Sequence, residues 1–187
     1  EALDRPDFYF NLGATQDPRS TLIGNTHFKE GETIFDKSPF VKAIETENAI
    51  ILLDELSRAH PEAWNILMTV LDEGQRYLRL DESVNAPIIK VANGVSFIAT
   101  ANIGTEYTST RVLDRALMDR FEIIEVDILS LEQESILLAK RFPEIDPTLI
   151  NSVADIADST RKEWRSEEGK LSTMISTRMT VRICELL

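Results

Sequence analysis

A run of apolar residues that leads directly into two carboxylates constrains the fold of this chain more than any other feature. The run is Ala49–Leu53, with the sequence Ala-Ile-Ile-Leu-Leu, and the carboxylates are Asp54 and Glu55. A strand without polar alternation is typical of a parallel sheet whose two faces are covered by helices. Ligands of such sheets bind beyond the carboxyl ends of the strands. The pattern therefore predicts an α/β fold in which one acid holds a magnesium ion and the other orients a water molecule.

Further stretches of the chain are predicted to be strands of the same sheet. Asp7–Leu12 is short and rich in aromatic residues, Ser96–Thr100 is mostly apolar, and Glu122–Ile128 has apolar residues at alternate positions. Asn102 follows the second of these strands, so its amide is expected at the same sheet edge as the two carboxylates. A structural alternative remains open for each of these polar residues. Asn102 also fits a turn residue after a strand, because Asn is common in turns. Asp54 and Glu55 also fit a buried strand with an acidic exit, because acids are common where such a strand emerges into solvent.

Two hairpins and several helices are predicted around these strands. The hairpins are Thr26–Phe35 and Gln75–Val95, each with turn residues between two strand-like runs. Between them, His60–Gly74 has apolar residues at three- and four-residue spacing, proline at its first helical position and Gly74 as the expected C-terminal cap. From the capping-box pattern at Ser130 onward, the chain is predicted to be mostly helical.

The composition limits the classes of function. The formal net charge of −12, from 20 basic and 32 acidic residues among 187, argues against a surface that binds nucleic acid by neutralising phosphates. Cys184 is the single cysteine, so no intrachain disulfide is expected and a reducing, cytoplasmic location is the default. The longest apolar run, Ala49–Leu53, is far shorter than a membrane span, so no membrane partner is expected.

Four motifs, taken together, fall in the order and spacing of an AAA+ ATPase, and the resemblance covers nearly the whole chain. The motifs are Ile51–Ala59, Ala99–Asn102, Leu117–Phe121 and Ser176–Arg178. The chain resembles most closely the MoxR-like group, which includes the CbbQ, NorQ and cobaltochelatase-type ATPases and shares features with McrB and dynein-like modules. The first hairpin is similar to the helix-2 insertion that marks this branch, and the second is similar to the hairpin before its sensor strand.

The resemblance implies a fold, a domain organisation and ligands. The expected fold is the AAA+ three-layer α/β core with a parallel sheet, incomplete at its N-terminus, followed by a small C-terminal helical lid. Residues 1–129 would form the core and residues 130–187 the lid. ATP and Mg²⁺ are the implied cofactors.

The resemblance also gives roles to the polar residues at the sheet edge. Asp54 resembles the Walker B ligand of Mg²⁺, and Glu55 resembles the carboxylate that orients the attacking water. Asn102 resembles sensor 1, which would hold that water or the γ-phosphate. These roles suit phosphoryl transfer, in which a protein supplies positioning and charge stabilisation more than covalent chemistry.

Three arginines receive roles from the same resemblance. Arg120 resembles the arginine finger that one subunit inserts into the site of its neighbour, with Arg115 as the second candidate. Arg178 resembles sensor 2, a lid arginine that reaches the nucleotide phosphates. The alternative for each is a solvated or salt-bridged surface residue. That alternative is favoured for Arg115, whereas the motif context favours functional roles for Arg120 and Arg178.

The chain departs from the family at one motif, because it contains no Gly-x-x-x-x-Gly-Lys-Ser/Thr. The pair Gly169-Lys170 is followed by Leu171 and does not follow a predicted strand, so it is not a phosphate loop. In the family this loop precedes the strand that Asp7–Leu12 resembles, so the missing loop and a core strand are expected upstream of Glu1. The chain alone is therefore expected to bind ATP poorly and to be inactive. The alternative is a subunit that has lost nucleotide binding.

The function implied by the resemblance is that of a ring-forming ATPase, expected as a hexamer, that remodels or activates a client protein complex. In the group that the chain resembles, the client is often a metalloenzyme, and a partner with a von Willebrand A-type domain is common. One alternative is a non-catalytic AAA+-like assembly subunit, against which Asp54, Glu55, Asn102 and Arg120 argue. The other is a nucleic-acid motor of the McrB type, which the negative net charge disfavours.

Overall fold

A computed structural model describes residues 4–29, 31–83, 85–102, 111–166 and 168–187. The chain folds into two compact units, Glu1–Ile123 and Ile124–Leu187. In chain order the elements are β1 (Asp7–Asn11), α1 (Pro18–Leu22), β2 (Gly24–Lys29), β3 (Glu32–Lys37), α2 (Pro39–Ile44), β4 (Ile50–Asp54), a 3₁₀ turn (Leu56–Arg58), α3 (Pro61–Leu71), β5 (Tyr77–Arg79), β6 (Ile88–Lys90), β7 (Ser96–Ala99), α4 (Arg115–Met118), α5 (Leu131–Arg141), α6 (Pro147–Arg165) and α7 (Thr177–Cys184). None of the described helices is long and apolar enough to cross a membrane.

The centre of the first unit is a parallel three-stranded sheet in the order β1-β4-β7. Asn11, the last residue of β1, lies in register with Asp54 at the end of β4, and Leu53 lies in register with Ala99 at the end of β7. All three strands therefore end at one edge of the sheet. This arrangement confirms the predicted parallel α/β fold, with Asp54 as the last residue of its central strand.

One face of the sheet carries the apolar core. Ile51 and Leu53 of β4 are fully buried and belong to one cluster with α2 and α3. The helical residues of this cluster are Phe40, Val41, Ala43 and Ile44 of α2 and Ala63, Trp64, Leu67 and Val70 of α3. Trp64 donates its indole N–H to the Leu56 carbonyl oxygen at 2.9 Å, so the polar atom of this side chain is satisfied inside the core.

The opposite face of the sheet is largely exposed in the described part of the chain. Tyr9, Leu52 and Ile98 lie in register across the three strands on this face. The exposed fraction is 58% for Tyr9 and 53% for Ile98, and Leu52 is half-buried. The uniformly apolar sequence of β4 predicts cover on both faces, but the described helices bury only the face that carries Ile51 and Leu53.

Four described helices begin with a capping side chain followed by proline. Each cap accepts a hydrogen bond from a backbone N–H of the first turn, and the proline supplies a helical φ at a position whose N–H would have no helical partner. The pairs are Asp17-Pro18 in α1, Ser38-Pro39 in α2, His60-Pro61 in α3 and Asp146-Pro147 in α6. The predicted start of α3 at Pro61 is thereby confirmed, and it places this helix a few residues after Glu55.

Both predicted hairpins form as separate two-stranded antiparallel sheets. β2 pairs with β3, and β5 pairs with β6. The predicted turn residue Glu30 lies outside the described residues. Phe35 of the first hairpin packs against the core, whereas Phe28 near its tip is 78% exposed. The first hairpin is therefore anchored at its base and projects an aromatic side chain into solvent.

Two predictions of local structure were wrong. Residues 122–128 form no strand, and Ile124 and Val126 are 81% and 90% exposed. A strand requires a neighbour that pairs with its N–H and C=O groups, and none of the described strands pairs with this segment. Gly74 does not cap α3, because the backbone leaves the helical conformation at Asp72, which is the capping residue and accepts a hydrogen bond from the Gly74 N–H at 3.1 Å.

The second unit packs α5, α6 and α7 around a small apolar core. The buried members of this core are Leu138, Phe142, Ile150 and Cys184. At the start of α5, Ser130 and Gln133 form the predicted capping box, in which each side chain accepts a hydrogen bond from the backbone N–H of the other. The mostly helical character predicted from Ser130 onward is confirmed. Burial raises the pKa of the Cys184 thiol, which therefore stays protonated at neutral pH.

Candidate functional site

Asp54 is held between two hydroxyl groups that come from the neighbouring strands. The Tyr9 hydroxyl, on β1, donates to Asp54 Oδ2 at 2.6 Å, and the Thr100 hydroxyl, directly after β7, donates to Asp54 Oδ1. The parallel register places these three side chains on one face of the sheet, at its carboxyl edge. Because each carboxylate oxygen accepts its own hydrogen bond, the orientation of the Asp54 carboxylate is fixed.

The same hydroxyl donors stabilise the ionised form of Asp54. The hydrogen bonds from Thr100 and Tyr9 hold the pKa of the Asp54 carboxyl below its usual range, with a smaller contribution from the backbone N–H of Glu55. The bond to Asp54 in turn raises the pKa of the Tyr9 phenol. Asp54 is therefore ionised at neutral pH. Its oxygens, beside two hydroxyl oxygens, form a set of hard donors of the type that Mg²⁺ binds.

Glu55 follows in a left-handed backbone conformation, with φ of 56° and ψ of 40°. This region is uncommon for residues other than glycine, asparagine and aspartate, and such conformations concentrate at functional positions. The Glu55 backbone N–H donates to Thr100 Oγ1 at 3.1 Å, and the Arg58 guanidinium lies 3.4 Å from Glu55 Oε1. The left-handed turn therefore takes the Glu55 side chain out of the strand while its backbone stays bonded to the sheet edge.

Gly13 leaves the space that the Glu55 side chain occupies. A Cβ atom at Gly13 would lie 2.9 Å from Glu55 Cβ and 3.1 Å from Arg58 Cβ, and it would overlap Glu55 Oε2. The Leu12 N–H donates to the Asp54 carbonyl oxygen at 2.9 Å, which fixes the end of β1 against the end of β4. The segment after β1 therefore forms one wall of the space around Glu55.

Gly13→Ala should destabilise the chain by about 1–3 kcal/mol, because the added methyl group forces Glu55 and Arg58 from their positions. Urea denaturation of the purified chain, followed by circular dichroism, measures this loss. Gly74→Ala is the matched control, since a Cβ there meets only Asp72 Oδ1 at 3.5 Å, and it should stay within about 0.5 kcal/mol of the parent. Equal losses in the two variants would contradict the steric role of Gly13.

Asn102 lies at the same sheet edge, two residues beyond Thr100. Its backbone N–H donates to the Ser57 hydroxyl at 3.1 Å, and the Leu56 N–H donates to the Thr100 carbonyl oxygen at 2.9 Å. Asn102 is exposed, whereas Ser57 is buried. These bonds tie the segment after β7 to the 3₁₀ turn after β4. The predicted amide and the two predicted carboxylates therefore lie at one edge.

Arg120 lies against the C-terminal end of α3. Its guanidinium forms an ion pair with Asp72 Oδ2 at 2.9 Å, and it donates to the Met68 carbonyl oxygen at 3.0 Å and to the Ala116 carbonyl oxygen. The Arg120 side chain is only 23% exposed, whereas Arg115, the first residue of α4, is exposed. Arg120 is therefore held within its own chain by one ion pair and two backbone carbonyl oxygens.

Arg178 belongs to the second unit and lies in the first turn of α7. Ser176 caps this turn, and its hydroxyl accepts a hydrogen bond from the Met179 N–H at 3.3 Å. Arg178 is exposed, whereas Thr180, two residues further on, is fully buried. The first turn of α7 therefore has a packed face, which carries Thr180, and a solvent-exposed face, which carries Arg178.

Three residues of the site were missed by reasoning from the sequence. Tyr9 and Thr100 lie 45 and 46 residues from Asp54 in the chain, so their contact with it depends on the strand register. Their position was the available signal, because Thr100 is the last residue of one predicted strand and Tyr9 lies in another. Gly13 was visible only as the glycine that closes the first strand.

The sequence matches a known protein family and several curated proteins. Residues 1–121 match the family described as AAA domain (dynein-related subfamily). The chain is 32% identical over 179 residues to the chaperone-named protein BssE of Thauera aromatica, covering 95% of this chain and 59% of that protein. It is 28% identical over 177 residues to a protein of Staphylococcus saprophyticus, covering 90% of this chain and 65% of the other. The chain thus spans less than two thirds of the length of these relatives.

Solved structures resemble the chain at low sequence identity. A mutant of RuvB from Thermotoga maritima superposes with a TM-score of 0.59 at 12% identity, covering 98% of this chain and 46% of that chain. Closed-state Hsp104, solved with ATPγS and FITC casein, superposes with a TM-score of 0.63 at 15% identity, covering 96% of this chain and 34% of that chain. Likenesses at this level of identity show a shared fold.

Proposed function

Since the chain belongs to the AAA domain family, in its dynein-related subfamily, we propose that it is the ATP-hydrolysing module of a machine that remodels a client protein. Its structural neighbours share the AAA+ fold, which confirms the fold class predicted from the sequence. One observation carries the proposal. At the carboxyl edge of the parallel sheet, Asp54 is ionised and fixed by two hydroxyl groups, directly beside Glu55 in a strained left-handed conformation.

In this proposal Asp54 holds Mg²⁺, and Glu55 orients the water that attacks the terminal phosphate of ATP. The two hydroxyl bonds fix the Asp54 carboxylate in one direction, which suits a cation that demands near-ideal octahedral geometry. When bound, the ion supplies positive charge that neutralises the phosphates. The Glu55 carboxylate, turned out of the strand, is placed to accept a proton from water. The amide of Asn102, at the same edge, would hold the water or the γ-phosphate.

The phosphate-binding half of the site is proposed to come from a segment outside this sequence. The sequence contains no Gly-x-x-x-x-Gly-Lys-Ser/Thr, the motif whose backbone amides cradle phosphates. The apolar row of Tyr9, Leu52 and Ile98 supports this proposal, because it is a largely exposed face of the core sheet. A segment packed on this face would lie beside Asp54, whose side chain is on the same face.

We further propose that the chain belongs to the MoxR-like group and works as a hexameric ring with ATP between its subunits. The hairpin of β2 and β3 supports the group, because an antiparallel hairpin forms in the segment that resembles the helix-2 insertion. Arg120 is the proposed arginine finger, with Arg115 as the alternative, and Arg178 is the proposed lid arginine. The core would comprise residues 1–129 and the lid residues 130–187.

The proposed partner is a client protein complex. The chaperone-named relative BssE supports a remodelling role, and the net charge of −12 disfavours nucleic acid as the client. A protein with a von Willebrand A-type domain is the proposed accessory partner, and the cytoplasm is the proposed location. The accessory partner follows from the resemblance to the MoxR-like group, and the location follows from the single cysteine.

Binding of Mg-ATP tests the proposed function. The 187-residue chain alone should bind Mg-ATP poorly, and a longer chain that includes the phosphate-binding segment should bind it. In the longer chain, Asp54→Ala should weaken the Mg²⁺-dependent part of the affinity by about tenfold or more, because a charged ligand of the ion is lost. Isothermal titration calorimetry with and without Mg²⁺ gives both affinities.

Asp36→Ala, which removes an exposed carboxylate of β3, is the matched control and should leave the affinity for Mg-ATP unchanged. Micromolar affinity of the short chain would contradict the proposed split of the site between two segments. A dependence on Mg²⁺ that survives Asp54→Ala would show that the ion is held elsewhere.

A further inference from the structure

The second unit buries a charged pair in its interior. Glu134 on α5 is fully buried, and the Arg161 side chain on α6 is only 5% exposed. Arg161 Nη1 lies 2.7 Å from Glu134 Oε2. Burial opposes ionisation of Glu134, but hydrogen bonds from Arg161 and two threonine hydroxyls outweigh it and lower the pKa of this carboxyl. Glu134 is therefore ionised at neutral pH and pairs with the Arg161 guanidinium.

The remaining polar atoms of this pair reach the start of α7. The Thr177 hydroxyl donates to Glu134 Oε2 at 3.0 Å, and the Thr180 hydroxyl donates to Glu134 Oε1. Arg161 Nε donates to the Ile175 carbonyl oxygen at 2.8 Å, in the segment just before α7. One buried ion pair thus joins α5 and α6 to both the entry and the first turn of α7.

A buried ion pair of this kind contributes little net stability to a packed core. Removing two charges from water carries a large desolvation penalty, and well-packed apolar side chains of similar volume often stabilise a core equally well or better. Directed hydrogen bonds instead select a single packing geometry of the helices, because all of these bonds are satisfied in only one register. The network should therefore fix the position of a particular part of the unit.

The part that it fixes is the turn that carries Arg178. Thr177 and Thr180 are three residues apart and lie on one helix face, where both contact Glu134. Arg178 lies about 100° around the helix from Thr177, and it is exposed. Any rotation or sliding of α7 that redirected Arg178 would break both threonine bonds to the same buried carboxylate.

We propose that Glu134 and Arg161 are positioning residues for Arg178, with Thr177 and Thr180 as the links between them. The network holds α7 in one rotation about its axis and so fixes the direction in which Arg178 projects from the helix. The inference rests on the proposed function, in which Arg178 is the lid arginine. It assigns to the buried pair a role in ATP affinity, exerted through α7, beyond the packing of the unit.

Kinetics of ATP hydrolysis by the full-length, assembled protein test this role. Arg178→Ala should raise KM for ATP by about 10- to 100-fold with kcat within about twofold, as expected when a charged contact to the bound substrate is lost. Thr180→Val removes one buried hydroxyl at nearly constant volume and should raise KM by about threefold to tenfold. In the Arg178→Ala background, Thr180→Val should leave KM unchanged within about twofold, because the arginine through which it acts is absent.

A second variant separates positioning from packing. Glu134→Leu combined with Arg161→Met replaces the ion pair by apolar side chains, and it should keep the thermal unfolding temperature of the parent while raising KM toward that of Arg178→Ala. Arg182→Ala, on the same exposed face of α7, is the control and should keep the parent KM.

The outcomes are distinct. If Arg178→Ala raises KM but Thr180→Val raises it by the same factor with and without Arg178, the positioning role is wrong and the proposed function stands. A folded Glu134→Leu/Arg161→Met variant with the parent KM would also overturn it. If Arg178→Ala itself keeps the parent KM while ATP is hydrolysed, the lid role of Arg178 is wrong, and this inference fails with it.

Discussion

Glu55→Gln should lower the steady-state rate of ATP hydrolysis by about 10²- to 10⁴-fold in a chain that includes the phosphate-binding segment, while the affinity for ATP stays close to the parent value. Glutamine keeps the shape of the side chain beside Gly13, but its amide cannot accept a proton from water. The backbone geometry should survive the change, because the Glu55 N–H bond to Thr100 does not involve the carboxylate. Phosphate release measures the rate, and calorimetry measures the affinity.

Glu73→Gln is the matched control for this experiment, since Glu73 is an exposed glutamate shortly after α3. It should hydrolyse ATP at the parent rate. Parent-rate hydrolysis by Glu55→Gln would show that the role assigned to Glu55 is wrong. A loss of affinity at an unchanged rate would place Glu55 in nucleotide binding and contradict its role toward water.

Arg120→Ala should lower the rate of ATP hydrolysis by roughly 10³- to 10⁵-fold with a much smaller change in nucleotide affinity. The reason is that a finger from the neighbouring subunit stabilises charge on the transferring phosphoryl group. In the structure, the guanidinium is bound to Asp72 and to the Met68 carbonyl oxygen of its own chain. In the proposed ring, the phosphoryl group would meet a guanidinium that this partly exposed ion pair already orients, and the pair contributes only about 0–1 kcal/mol to stability.

Mixed rings test whether Arg120 acts on the neighbouring site. Arg120→Ala and Glu55→Gln subunits should each be inactive alone, but mixtures should recover hydrolysis wherever an intact Arg120 meets an intact Glu55. Phosphate release is measured across mixing ratios, with ring assembly checked by light scattering. Arg115→Ala tests the alternative finger: it should keep the parent rate, and a loss as large as that of Arg120→Ala would move the role to Arg115. Assembled mixtures that stay inactive would leave Arg120 as a structural residue that fastens α4 to α3.

The sequence predicted those parts of the fold that depend on local pattern and strand order. The apolar run before Asp54, the two hairpins, the proline start of α3 and the capping box at Ser130 are all present in the structure. The strand predicted at residues 122–128 is absent because alternation describes only one segment, whereas pairing also requires a neighbouring strand.

The contacts within the candidate site were harder to predict, because they join residues that are distant in the chain. The Tyr9 and Thr100 bonds to Asp54 depend on the register of three strands, which composition does not determine. The ion pair of Arg120 with Asp72 depends on how α4 packs beside the end of α3. Motif spacing identified Asp54 and Arg120 as candidates, but only the packed structure shows what each side chain contacts.

The hydroxyl bonds from Tyr9 and Thr100 to Asp54 determine which part of the site is preorganised. These three residues come from β1, from the position after β7 and from β4, so the sheet itself preorganises the Asp54 carboxylate. In the proposed function, the arrival of nucleotide then needs little rearrangement of the Asp54 carboxylate, and the cost of reorganisation falls on the proposed phosphate-binding segment. Variation in that segment would therefore tune nucleotide affinity without disturbing Asp54.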